Sequence, residues 1–145
     1  ITVKKILPSE INIYLKKTKF IGSSIIGGEK YYIGSNGKLT ISKQVKNEKS
    51  LPFVFGNFQI DEFLKLQEIL SSNGFNLNQI KKYYYFKSNR WDIENKEDII
   101  LKLPAQNIEK SIKNYKSLLE TNKIIQGQLI DLRMKNKIIL KDAKK

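Results

Sequence analysis

The run Lys81-Lys82-Tyr83-Tyr84-Tyr85-Phe86-Lys87, with Arg90-Trp91 just beyond it, sets cations among aromatic rings as a platform for single-stranded nucleic acid would, because bases stack on rings and lysines follow phosphates. On a strand, Tyr83 and Tyr85 face opposite to Tyr84 and Phe86, so only one ring pair can share an exposed platform and the other enters a core. The glycines of the RNA-recognition strand motif are absent. Basic nucleic-acid binding is therefore the second reading of this chain, and the first expects no nucleic acid among its partners.

Gly34-Ser35-Asn36-Gly37-Lys38-Leu39-Thr40 approaches a phosphate-binding loop but has Tyr32 where the first glycine belongs and Leu39 where a Ser or Thr must follow the lysine. It reads as a hairpin turn. Acid pairs stand at Asp61-Glu62 and Glu97-Asp98 and could in principle bind a hard cation or divide acid and base roles. Each lies at a helix start or a turn, where solvation and the helix dipole account for it. No serine sits in a nucleophile-elbow context. Histidine and cysteine are both absent, which removes the usual neutral-pH base, thiol catalysis, disulfides and thiolate metal sites. The expectation is a protein that is not an enzyme and holds no cofactor or metal.

The elements that would position these residues read as follows. Residues 2 to 21 look extended, with Ile11, Ile13 and Leu15 alternating with Asn12, Tyr14 and Lys16 as on a strand with one buried face, after a turn at Pro8-Ser9-Glu10. Gly22, Ser23, Ser24, Gly27 and Gly28 form a small-residue interruption and the best boundary between domains. Tyr31 to Ile33 and Lys38 to Ser42 flank Asn36-Gly37 as a hairpin. Residues 43 to 50 are a polar loop, and Leu51 to Gly56 is a short buried extended piece.

Phe63, Leu64, Leu66, Ile69 and Leu70 then take helical spacing, with Asp61 or Asn57 as cap and Asn73-Gly74 as stop. Residues 79 to 94 are strand-like, followed by a turn near Asn95-Lys96 and a paired strand from Asp98 to Leu103. Asn107 can cap a second helix with Ile108, Ile112, Tyr115, Leu118 and Leu119 on one face. Finally Ile130, Leu132, Met134, Ile138 and Leu140 share one parity, giving one half-buried strand bent at Lys135-Asn136. The predicted class is α+β, mainly antiparallel sheet with two packing helices. A last strand at a sheet edge can template a partner strand through its unpaired main-chain groups, and its outward Arg133 offers a fork for a carboxylate.

Taken in order, Val3 to Leu15, Tyr32 to Gly37, Leu51-Pro52 with Gly56, Arg90-Trp91-Asp92-Ile93, Ile100 to Pro104 and Ile130-Asp131-Leu132-Arg133 resemble the FtsQ/DivIB family of bacterial cell-division proteins along almost the whole chain. The resemblance implies the last strands of a POTRA domain and junction in residues 1–24, an FtsQ-type β domain in 25–141, and a basic tail in 142–145. It implies a divisome scaffold that links early and late division proteins during septum formation, with other divisome proteins among its partners.

The expected binding partners are FtsB and, with it, FtsL, held by strand addition at Arg133, Met134, Lys135, Asn136, Lys137, Ile138, Ile139 and Leu140. The expected setting is the division septum, with this region periplasmic and the whole protein anchored in the inner membrane by one upstream helix outside this chain. The chain departs from the family's pattern at Lys17, Thr18 and Phe20, where Glu, Arg and Pro are common, at Gly34 for Asp, and at Met134, where an aromatic can occur.

Composition agrees with a folded domain: 40% of residues are hydrophobic and no low-complexity tract occurs. The longest apolar runs are far below the ~20 residues that cross a bilayer. The net charge of +13 comes almost wholly from Lys, with Arg only at positions 90 and 133. That bias suits association with an anionic surface less specifically than Arg forks would.

Overall fold

The computed structural model describes residues 2–6, 10–46 and 50–142. Strands β1 (Thr2–Ile6) and β2 (Glu10–Tyr14) pair antiparallel as a separate two-stranded sheet. Nine further strands form one sheet: β3 (Phe20–Ile26), β4 (Glu29–Gly34), β5 (Leu39–Ile41), β6 (Phe53–Phe55), β7 (Ile80–Phe86), β8 (Arg90–Asn95), β9 (Ile100–Lys102), β10 (Leu129–Asp131) and β11 (Ile139–Lys141). Their order across the sheet is β11-β10-β9-β8-β7-β6-β3-β4-β5. Pairing is antiparallel except where β6 lies between β3 and β7 and where β10 joins β9.

Helices α1 (Ile60–Ser72) and α2 (Ile108–Leu119) cover one face. Paired residues on adjacent strands share a face, so Val54, Tyr83, Ile93, Leu101 and Ile130 make one transverse row under the helices, which runs out to the exposed Leu140. Phe63, Leu66 and Leu70 of α1 and Ile112 and Tyr115 of α2 close over that row. Phe63 stands edge-on to Tyr83, ring centroids 5.1 Å apart, and Trp91 packs against Phe58, Tyr83 and Tyr85. The α+β class, the Asn36-Gly37 hairpin and both helices stand as expected, whereas in the extended piece Leu51 to Gly56 only Val54 is buried and Phe55 is exposed on the opposite face.

Several local expectations are corrected. Gly22 to Ser24 do not interrupt the chain: they are buried inside β3, and only Gly27-Gly28, both at positive φ, make the turn into β4. A side chain at Gly22 would press on Val54 and Phe63, so smallness here serves close packing. The large sheet accordingly begins ahead of residue 24.

The segment 79–94 is two strands, because Asn89 at φ 56 turns the chain between β7 and β8. The alternating Ile11, Ile13 and Leu15 bury no face within the described chain, being 63%, 60% and 74% exposed. The Pro8 turn and the end of the basic tail fall on residues 7–9 and 143–145, outside the described residues.

Caps differ too. Neither Asn57 nor Asp61 caps α1. Gln59 stands at the cap, and Glu62 reaches back to accept its backbone N–H at 3.2 Å. Asn107 opens α2, but in the left-handed conformation at φ 58 and with no side-chain capping bond. On α2, Leu119 is exposed rather than buried, because the helix ends there.

Candidate partner-binding edge

The last segment is not one bent strand. β10 ends at Asp131, residues 132–138 form a loop, and β11 returns antiparallel with Leu129, Ile130 and Asp131 opposite Lys141, Leu140 and Ile139. One contact and one backbone conformation accompany the reversal. Asp131 Oδ1 accepts the backbone N–H of Arg133 at 3.0 Å, a local turn that draws the chain out of the ladder, and Asn136 adopts φ 60 at the loop's tip. The single parity of Ile130 to Leu140 spans the loop by coincidence: Ile130, with Leu132 at the loop's start and Ile138 at its end, packs on the core, while Leu140 opposite Ile130 is exposed.

Of the expected site residues, Arg133, Met134, Lys135, Asn136 and Lys137 are exposed loop residues, Ile138 packs against the core, and only Ile139 and Leu140 lie on the edge strand. The edge thus begins at Ile139 and not at Arg133. Leu132 N–H and Gln128 C=O both bond to β9, so by alternation Leu129 and Asp131 bond to β11. Ile139 and Lys141 therefore turn their main-chain groups inward to β10, and the N–H and C=O of Leu140 point outward from the sheet. β11 has no neighbour on that side among the described residues.

Arg133 turns one edge of its guanidinium back onto its own chain. Its Nε donates to Asp131 Oδ1 at 2.8 Å and its terminal nitrogen to Asp131 Oδ2 at 2.6 Å. These bonds hold the Asp131 carboxyl below the usual carboxylate range against the opposing effect of burial, and raise the Arg133 guanidinium in return. The sequence offered a signal for this pair: residues i and i+2 on a strand share a face.

Loop and α2 enclose a groove of about 220 Å3, with Lys110, Lys135 and Lys137 on its walls and Leu132 and Ile138 among its apolar lining. Lys110 Nζ donates to Asn136 Oδ1 at 3.4 Å, and Lys135 and Lys137 have no side-chain partner among the described residues. An acidic, extended segment matches such a groove in charge.

The sheet face away from the helices was not foreseen as a unit. Its central row runs Phe55, Tyr84, Asp92, Lys102, Asp131, Ile139. Phe55 and Tyr84 stack at 5.0 Å, and Arg90 lies over the Phe86 ring at 4.5 Å. Tyr83 and Trp91, two rings of the possible nucleic-acid platform, are instead core residues. Burial pushes the Asp92 carboxyl up, and Arg90 opposes this from 3.4 Å without a hydrogen bond. No group of three or more acid, His or Cys side chains is placed to hold a metal ion among the described residues.

A mainly antiparallel α+β module, closed by helices on one face and open at a terminal strand, is the class of protein these observations define. The family described as "Cell division protein FtsQ/DivIB, C-terminal" matches residues 25–133. The chain belongs to the FtsQ/DivIB family of cell-division proteins.

Cell division protein FtsQ of Rhizobium meliloti is 21% identical across 94% of this chain and 45% of its own length; that of Rickettsia bellii is 31% identical across 93% and 51%. The chain thus spans about half the length of these relatives. The extracytoplasmic domain of DivIB from Geobacillus stearothermophilus is similar at a TM-score of 0.48 and 11% identity, covering 75% of this chain and 98% of that one. The loop after Arg133 and β11 lie beyond the matched family segment.

Proposed function

We propose that this chain is the partner-binding part of a non-catalytic divisome scaffold, which captures FtsB, and with it FtsL, by adding a strand of the partner to β11. The observation that carries this reading is the outward Leu140 main chain on an edge with no neighbour among the described residues, beside a lysine-lined groove. Main-chain pairing supplies affinity that does not depend on the identity of each edge side chain, and Lys110, Lys135 and Lys137 select an acidic segment.

The family and the incomplete span of its relatives support a longer protein, anchored in the inner membrane by an upstream helix and working in the periplasm at the septum. No helix among the described residues is long and apolar enough to cross a membrane. The β1–β2 hairpin fits the end of a POTRA domain. Val3, Ile11 and Ile13 are each at least 60% exposed, a surface for the remainder of that domain to cover.

The test is capture of an FtsB–FtsL periplasmic segment by the purified protein. Leu140→Pro removes the outward N–H while sparing the ladder bonds to β10, and is expected to abolish capture with the core intact. Undiminished capture by that variant would refute strand addition at β11.

A further inference from the structure

The geometry points to Asp131 as the positioning residue of this edge: its carboxylate clamps Arg133 and sets the loop that carries β11 to the sheet. The inference rests on the strand-addition reading above and concerns what keeps that strand in place.

Among the described residues β11 meets the rest of the sheet through three residue pairs, all with β10. So short an outer strand frays unless the connection before it is fixed. Asp131 belongs to the ladder and the turn at once. It stands opposite Ile139 in register, and it is buried, 6% exposed. One oxygen takes the Arg133 backbone N–H and Nε, and the other takes the terminal guanidinium nitrogen. Its three bonds therefore fix both the direction in which the chain leaves β10 and the side chain that begins the loop. Lys102 pairs with Asp131 from β9, and Asp92 lies one strand further in the same row, so the carboxylate sits in an alternating run of charge that a neutral residue would break.

This arrangement reverses the role expected for Arg133. The Nε edge of the guanidinium is taken by Asp131 inside the chain, so Arg133 acts on a partner chiefly through the position of β11.

Three variants separate the two roles, read out by capture of the FtsB–FtsL segment and by amide hydrogen exchange of the partner-free protein. Asp131→Ala and Arg133→Ala are each expected to weaken capture about tenfold, and the double variant to weaken it no further, as residues acting through one contact do. Asp131→Asn keeps an acceptor for the Arg133 backbone N–H and is expected to recover part of the loss. In Asp131→Ala, exchange at Ile139 and Lys141 is expected to rise about tenfold or more while Ile93 and Leu101 stay protected.

Capture that is unchanged or tighter in Asp131→Ala, or losses that multiply in the double variant, would overturn the assignment by showing that Arg133 reaches the partner itself. Unchanged exchange at Ile139 and Lys141 would overturn it even if no partner is captured. Failure of the unaltered protein to capture any segment counts against the proposed function alone.

Discussion

The side-chain amide of Gln67 donates to the hydroxyl of Tyr83 at 2.7 Å, tying the middle of α1 to the central strand β7 directly beside the Phe63 ring. Tyr83 is fully buried, and burial pushes its hydroxyl well above the ordinary tyrosine range, so at neutral pH this is a bond between neutral groups. Tyr83→Phe keeps the ring and strands the half-buried amide. A loss of about 1 kcal/mol is expected in urea unfolding, with an unchanged m-value.

Gly56 sits at φ +103, and a Cβ there would lie 2.4 Å from the Tyr85 carbonyl oxygen. Gly56→Ala must therefore displace backbone of β7 as well as bear a strained φ, and about 2 kcal/mol or more should be lost. Gly27→Ala, at φ +58 with nothing near its added methyl, should cost only about 1 kcal/mol. Parallel chemical denaturation of both variants checks the difference; equal losses would contradict it.

Because Asn107 opens α2 in the left-handed conformation and makes no capping bond, Asn107→Gly should hold or raise stability, by up to about 1 kcal/mol. A side-chain cap would predict the opposite, a loss of a few tenths. Thermal unfolding of the single variant decides between them.

Acid should act on the two buried carboxylates of the open face in opposite senses. Asp131 is held below its unfolded range by Arg133, so its stabilising contribution is present above that range and lost as pH falls through the folded value. Asp92 is raised by burial, so its ionisation costs stability as pH rises past the unfolded value, a cost that acid relieves. Asp131→Asn should flatten the acid-side loss and Asp92→Asn should steepen it, as measured by denaturant midpoints from neutral pH down to about 3.

At the alkaline end, Tyr84 is pushed up to about 12 by burial and by its hydrogen bond to Glu94. Its folded value exceeds the unfolded one, so its contribution is present below about 10 and lost as pH climbs toward the folded value. Tyr84→Phe should remove that part of the alkaline decline, seen by the same midpoints.

What could be read from the residues followed from periodicity and turn chemistry. Phe63, Leu66 and Leu70 announce α1, and Asn36-Gly37 announces its hairpin, because each signal lies within a few residues of what it specifies. The terminal edge was misread because Ile130, Leu132, Ile138 and Leu140 keep one parity across a loop whose turn is set by Asp131 and Arg133, not by Gly or Pro. The Asn89 turn hid for a similar reason, a left-handed Asn standing in for glycine between two strands. The aromatic and charged face could not be assembled from sequence at all, since Phe55, Tyr84 and Asp92 become neighbours only through parallel and antiparallel pairings of distant segments.

From β7 onward, each new strand in the chain joins the outside of the strand before it: once β6 has paired with β3, β7 adds to β6, then β8, β9, β10 and β11 in turn. Growth of the sheet therefore follows the direction of synthesis. A nascent chain emerging residue by residue can lay down each rib on a finished one, yet at every stage it shows an unpaired margin to its surroundings. Any chaperone attending that folding would have to shield a boundary that keeps moving, and among the described residues β11 is the last margin it reaches.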